Sequence, residues 1–325
     1  MRDIRNRNSA AAPPRPGVHL ASGLAYSTSA YAVWGIVPLY FILLIPAGPF
    51  EITAWRILAA LAICALLLSL SRGGWRRFAA VWRSGRVIAL LAVASFLVAI
   101  NWFVFIIASI DGYVVEASLG YFINPIFTVA LGVFILRERL RWLQWTAIGL
   151  SVASVVVLTF AHGSVPWIGL LLASTFAVYG LIKNRLGGQV DATSGLTVET
   201  AVMAPIAILA LIVVALGVPG FGGEAQGLTF GSEGVWHALL LLGSGVLTAA
   251  PLLFFAAATR RLPLSYVGLT QYLAPILQFV LGVSVLGEQM APERWIGFAI
   301  VWLAVLCLII DAVISIVKSR RRARS

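Results

Sequence analysis

The residues able to do chemistry in this sequence are few, and most sit in or at the edges of long apolar runs. Arg56, Glu116, Lys183 and Glu199 are ionisable groups in such positions. Burying one in hydrocarbon costs about 2.5–3.5 kcal/mol on insertion scales, so each is expected to face a cavity or a partner. Arg56 and Glu116 fall at similar depth, which points to an Arg56–Glu116 pair serving as an outer gate or an anion-binding group; snorkelling of Arg56 to the headgroups is the alternative. Glu51 lies five residues from Arg56 on the same helix, a poor angle for a pair. Lys183 and Glu199 lie near the other membrane face and are the expected inner counterpart, although snorkelling explains Lys183 equally well. Glu116 and Glu199 are the candidates for proton coupling, because a carboxylate in a dry cavity can take up and release a proton during a transport cycle.

Uncharged polar and aromatic residues complete the candidate set. Glu116, Gly120 and Asn124 share one helix face at i, i+4, i+8 spacing. Pro125 removes a backbone hydrogen bond beside Asn124, and Pro275 repeats this beside Gln271 and Tyr272; a kink that shapes packing alone is the other reading. Tyr31 and Trp34 are spaced i, i+3, as are Phe176 and Tyr179. Aromatics with a few polar groups suit an amphipathic or aromatic solute, while a packing or lipid-facing stripe has the same spacing. Asn101 fits a ligand contact or an interhelical hydrogen bond, and Asp311 reads as an interfacial residue. The expected solute contacts are therefore Tyr31, Trp34, Asn101, Glu116, Tyr121, Asn124, Tyr179, Gln271 and Tyr272. Arg56, Glu116, Lys183 and Glu199 are the expected gating or proton-coupling residues.

No catalytic or metal-binding pattern accompanies them. Cys64 and Cys307 fall inside apolar runs, and His19, His162 and His237 are far apart, so neither a disulfide framework nor a metal site is implied. No HExxH, Walker A, GxSxG or paired-His motif is present, which argues against an enzyme and against ATP-driven transport. No cofactor is implied. A channel or lipid scramblase is the remaining rival, and it calls for a continuous polar stripe or charged ring.

The elements that must position these residues are membrane spans. Hydrophobic residues make up 61% and charged residues 11% of the 325 residues, with mean hydropathy +0.98; soluble domains carry about 25% charged residues. Apolar runs of about 20 residues, enough to cross the bilayer, fall at 20–44, 50–71, 87–109, 113–136, 142–160, 166–186, 195–216, 235–257, 264–287 and 293–317. The chain is thus expected to be an all-α integral membrane protein of ten transmembrane helices. Alternate connecting segments hold 21 of the 23 basic residues; Arg294 is on the opposite side and Arg56 within a span. That bias places both termini in the cytoplasm. The net charge of +11 then reads as a topology signal and a contact for membrane lipids rather than for nucleic acid. Residues 1–19 are expected to be a disordered tail with no cleavable signal, and 318–325 a basic tail.

The chain also repeats itself. Ser29–Gly35 resembles Ser174–Gly180 at an offset of 145. Phe122–Pro125, Leu131–Val133 and Glu138 match Tyr272–Pro275, Leu281–Val283 and Glu288 at an offset of 150, as Trp145 matches Trp295. Two units follow, 20–160 and 161–317, each of five spans. Five is odd, so the copies must cross the bilayer in opposite directions. Inverted repeats serve alternating access around a central site; a duplication that only enlarges the bundle is the plainer reading.

Glu116–Pro125 and Arg137–Arg141 resemble the RarD-type members of the EamA group, in the drug/metabolite transporter superfamily. So do Asn101-Trp102, Glu199-Thr200, Pro251–Leu253, Ala256–Arg260 and Gln271-Tyr272. The resemblance runs from about residue 20 to 315. It implies a secondary transporter of the cell inner membrane, multi-pass, with a central cavity, moving a small metabolite or drug-like solute, with export favoured over import; a homodimer is left open. One departure is visible. A His often precedes the arginine that Arg56 matches in that family, and here the position holds Trp55, so no role of that His carries over.

Overall fold

The structure, a computed structural model, describes residues 16–136, 141–162, 165–186, 189–259, 261–262, 270–290 and 292–322. Among them the longer elements are all helices: α1 (Pro16–Ile42), α2 (Pro49–Leu70), α3 (Gly74–Trp82), α4 (Gly85–Ile110), α5 (Val114–Leu136), α6 (Trp142–His162), α7 (Trp167–Leu186), α8 (Ala192–Ala215), α9 (Gly234–Thr259), α10 (Leu273–Val280) and α11 (Pro292–Arg322). Local signals set several ends. Pro49 opens α2, with Glu51 in its first turn, where the fixed proline φ and a negative charge both favour a helix start. Asp191 caps α8 by accepting from Ser194 N at 3.1 Å.

Six helices (α2, α4, α6, α8, α9 and α11) contain stretches long and apolar enough to cross a membrane, and Trp167–Lys183 and Leu273–Val285 are shorter apolar helices. Large apolar side chains stand outward from this bundle: Phe160 is 83% exposed and Leu209 59%. Patches of that kind are not stable in water and fit a lipid surround. α1 is long enough at 27 residues. Its Ser22, Tyr26, Ser27, Thr28 and Ser29 make its first half more polar.

Two expectations need adjustment. The span expected at 264–287 is described only from residue 270; there α10 passes into a widened turn over Leu281–Val285, closed by Leu286 N donating to Leu281 O at 2.9 Å. Its start, and Glu138 with its neighbours, lie outside the described residues. The segment after the second span, read as a loop, forms α3. Trp75, Phe78 and Trp82 sit at i, i+3, i+7 and contact one another in series, with ring centroids 5.6 Å apart in both pairs. At nine residues this amphipathic helix is too short to span.

Helix α1 packs on α9 and α10, α7 packs on α4 and α5, α2 packs on α8 and α9, and α6 and α11 pack chiefly on each other. Glycine permits the tightest of these crossings. A Cβ added at Gly120 in α5 would meet the carbonyl oxygen of Gly169 in α7 at 2.5 Å, and one at Gly245 in α9 would meet the Ala59–Ala60 backbone of α2 at 2.6 Å. Such small-residue contacts let backbones approach where lipid gives no hydrophobic drive between helices.

Candidate functional site

Between these helices lies a cavity of about 100 Å³. Its wall takes Tyr31, Trp34 and Val37 from α1, Arg56 from α2, Val98, Asn101, Trp102 and Phe105 from α4, and Tyr121 and Asn124 from α5. The later part of the chain adds Phe176 and Tyr179 from α7, Thr248 and Leu252 from α9, Gln271, and Ala274, Pro275 and Gln278 from α10. Sequence reasoning had picked Tyr31, Trp34, Asn101, Tyr121, Asn124, Tyr179 and Gln271 as solute contacts, and the structure brings all of them to this one wall. Glu116 and Tyr272 are elsewhere. Tyr272 is buried in an apolar cluster with Val115, Leu119 and Phe122.

Most polar groups of the wall are tied down by other helices. Asn101 Nδ2 donates to Leu172 O at 2.9 Å and Thr175 Oγ1 at 3.0 Å, while its Oδ1 accepts from Tyr121 OH at 3.1 Å. Asn124 Nδ2 donates to Ala173 O at 3.1 Å. Both amides thus fasten α7 to α4 and α5 and also border the cavity. Gln278 Nε2 donates to Trp34 O at 3.1 Å, but its buried Oε1 has no partner.

Arg56 departs from the expected pairing. It is 4% exposed; its Nε donates to Thr248 Oγ1 at 2.7 Å, and its guanidinium lies 4.5 Å from the Trp102 ring centroid and 5.4 Å from that of Phe41. No ion pair joins it to an acid among the described residues. Glu116 is turned away, accepting from Ile168 N at 3.1 Å at the start of α7 and bordering a smaller pocket with Pro166 and Arg294. The expected match in depth did not bring them together: Arg56 turns to Thr248 and Glu116 to Ile168. A buried ion without a counter-charge costs several kcal/mol, and ring contacts return about 0.5–2 kcal/mol each.

Lys183 and Glu199 do meet, with Nζ to Oε1 at 2.6 Å. Tyr179 OH donates to Glu199 Oε2 at 3.3 Å, so the cavity wall touches this pair directly. Glu199 is 2% exposed and the Lys183 side chain 31%. Asp311, read as interfacial, is buried and pairs with Arg141 at 2.7 Å, linking the approach to α6 with α11.

Sequence reasoning passed over Trp102, Phe105, Thr248 and Gln278 as cavity residues. Gln278 carried a usable signal, because it lies seven residues after Gln271 and therefore on the same helix face. Thr248 carried none; threonine is ordinary in spans.

The EamA-like transporter family model matches residues 21–160. The RarD protein of Streptomyces exfoliatus is 46% identical over 303 residues, 93% of this chain and 92% of its own. The chain belongs to the EamA-like transporter family. Other relatives are an uncharacterised transporter of Bacillus subtilis, YojE, at 38% identity over 87% of this chain and 92% of its own, and a chloramphenicol-sensitive RarD protein of Pseudomonas aeruginosa at 30% over 92% and 97%. One crystal structure superposes with a TM-score of 0.57 over 94% of this chain and 99% of its own at 18% identity, a likeness of fold alone. The chain is accordingly a multi-pass membrane transporter of the drug/metabolite type and not an enzyme.

Two further carboxylates of this EamA protein serve its backbone. Glu288 accepts from Val114 N at 2.7 Å and Val115 N at 2.9 Å at the start of α5. Burial pushes the Glu288 carboxyl above the usual carboxylate range, against the pull of those amides and of Arg294. Glu51, fully buried, accepts from Thr229 N, Phe230 N and Thr229 Oγ1 at 2.9–3.1 Å. Thr229 Oγ1 in turn contacts His237 Nε2 at 2.9 Å. Together with Glu116 on Ile168, these contacts satisfy amides that would otherwise lack partners.

Proposed function

We propose that this chain carries a small metabolite or drug-like solute across the bacterial inner membrane by alternating access around the central cavity, with both termini in the cytoplasm and export favoured over import. The observation that carries this reading is the composition of the cavity wall: both parts of the chain contribute, and residues equivalent in the sequence repeat, Tyr31 with Phe176 and Trp34 with Tyr179, both border it. Ten spans arranged as two inverted five-helix units, 20–160 and 161–317, account for the packing. If α1, α4 and α5 correspond to α7, α9 and α10, then α1 rests on the later equivalents of the helices on which α7 rests. Such an exchange of neighbours is what a two-fold axis in the membrane plane produces.

In this scheme Tyr31, Trp34, Asn101, Tyr121, Asn124, Tyr179 and Gln271 contact the solute. Lys183 and Glu199, reached through Tyr179, form an inner gate, and Glu199 is the candidate proton carrier. The solute is an aromatic or amphipathic molecule, in keeping with the ring-rich wall and with the name of the chloramphenicol-sensitive relative. Counterflow in proteoliposomes tests the reading. Uptake of a labelled aromatic solute that saturates and is accelerated by unlabelled solute inside supports a carrier. Flux that rises linearly with concentration, without acceleration, would establish a channel and defeat it. Glu199→Gln should remove any dependence of transport on an imposed pH gradient; unchanged dependence overturns the proton role.

A further inference from the structure

We infer that the transported solute is a carboxylate with an apolar, ring-bearing body, and that Arg56 holds the carboxylate; this rests on the transport reading above. Arg56 lines the cavity, is 4% exposed, and its Nη1 is buried without a hydrogen-bond partner. The described carboxylates nearest in sequence or chemistry are engaged elsewhere: Glu51 by Thr229 and Phe230, Glu116 by Ile168, Glu199 by Lys183 and Tyr179, Glu288 by Val114 and Val115. The protein thus sets a cation in the wall of a ring-lined cavity and aims no described acid at it. A guanidinium presents parallel N–H donors that match a carboxylate, and in such surroundings the bonds are charge-assisted and strong.

The rest of the wall completes the ligand. Trp34, Trp102, Tyr121 and Phe176 offer ring faces and edges to an apolar body. Gln278 Oε1, 2% exposed as a residue and without a partner, is an acceptor on the other part of the chain. It suits an amine, hydroxyl or amide donor of the solute. A solute that joins both groups spans from α2 to α10. One that enters without its charge leaves Arg56 uncompensated. The empty carrier therefore keeps a positive centre that the loaded one neutralises, which makes the charge of the solute a determinant of selection.

Three probes sharing one ring separate charge from shape: phenylacetate, phenylacetamide and phenethylamine, titrated at fixed ionic strength into the purified full-length protein and read by ligand-dependent thermal stabilisation. The expected result is phenylacetate binding at least tenfold tighter than the other two. Arg56→Gln should level the three, and Arg56→Lys should keep a weakened preference. The inference is overturned if phenylacetamide or phenethylamine binds wild type as well as phenylacetate does, if none of the three binds, if sodium sulfate stabilises to the same extent, or if Arg56→Gln keeps the preference. The wild-type ranking decides even where Arg56→Gln does not fold. Counterflow of a neutral or cationic aromatic solute would leave the transport reading standing while this one falls; linear flux of every probe defeats the transport reading itself.

Discussion

Lys183 and Glu199 form a contact in which a side chain at the cavity wall, Tyr179, meets a charge pair. Glu199 is nearly inaccessible and Lys183 partly open, so removing one partner is asymmetric. Lys183→Met leaves a buried carboxylate unpaired and should cost about 3 kcal/mol, near the lower end for a broken buried pair because solvent screens the lysine. Lys183→Met combined with Glu199→Gln should recover most of that loss, as a thermal-stability cycle on all four proteins would show; equal losses in the single and double variants would mean that the pair does not couple. At this scale the sequence was informative because charges are rare in apolar runs, so Arg56, Lys183 and Glu199 stood out by type alone. It misassigned Arg56 to Glu116 because an apolar run fixes how deep a residue lies and says little about which neighbour it turns to. Glu51 and Glu288 spend their charge on amides of distant segments, a use with no mark in local sequence.

Helix contacts carry two expectations at the next scale. Gly120 meets Gly169 backbone to backbone, so Gly120→Leu must force α5 from α7 and should lower stability by about 1–3 kcal/mol, the range for overpacking; an unchanged melting temperature would show that the crossing yields freely. Glu51→Ala should strand the Thr229 and Phe230 amides, each at about 1–3 kcal/mol when buried. Limited proteolysis should then cut between residues 217 and 233 well before wild type is cut, and identical digestion rates would refute the tether. The apolar membrane helices were legible because crossing hydrocarbon imposes a length and a composition that leave little choice. α3 was not, since its nine residues, Gly-Trp-Arg-Arg-Phe-Ala-Ala-Val-Trp, fall below any such threshold, and its aromatic face becomes recognisable only when wound into a helix.

For the molecule as a whole, orientation is the property most open to a direct check. Replacing Cys64 and Cys307 by alanine leaves a background free of thiols. Single cysteines at Ser232 and Ser84 should then differ in intact cells: a membrane-impermeant maleimide labels the former and reaches the latter only after lysis. The reverse pattern inverts the topology. The glycine contact between α5 and α7 has a mechanical consequence. Two rods touching at bare backbone can turn about that point more easily than they can slide, and the point is off centre. At 1.5 Å per residue, α5 extends about 9 Å from Gly120 toward Val114 and about 24 Å toward Leu136. One tilt therefore sweeps the Leu136 end more than twice as far as the Val114 end. On the alternating-access proposal, such an unequal lever would give one wide mouth and one narrow one. Spin-label distances at the two ends of α5 and α7, measured with and without solute, should change in about that proportion, and equal changes would place the fulcrum elsewhere.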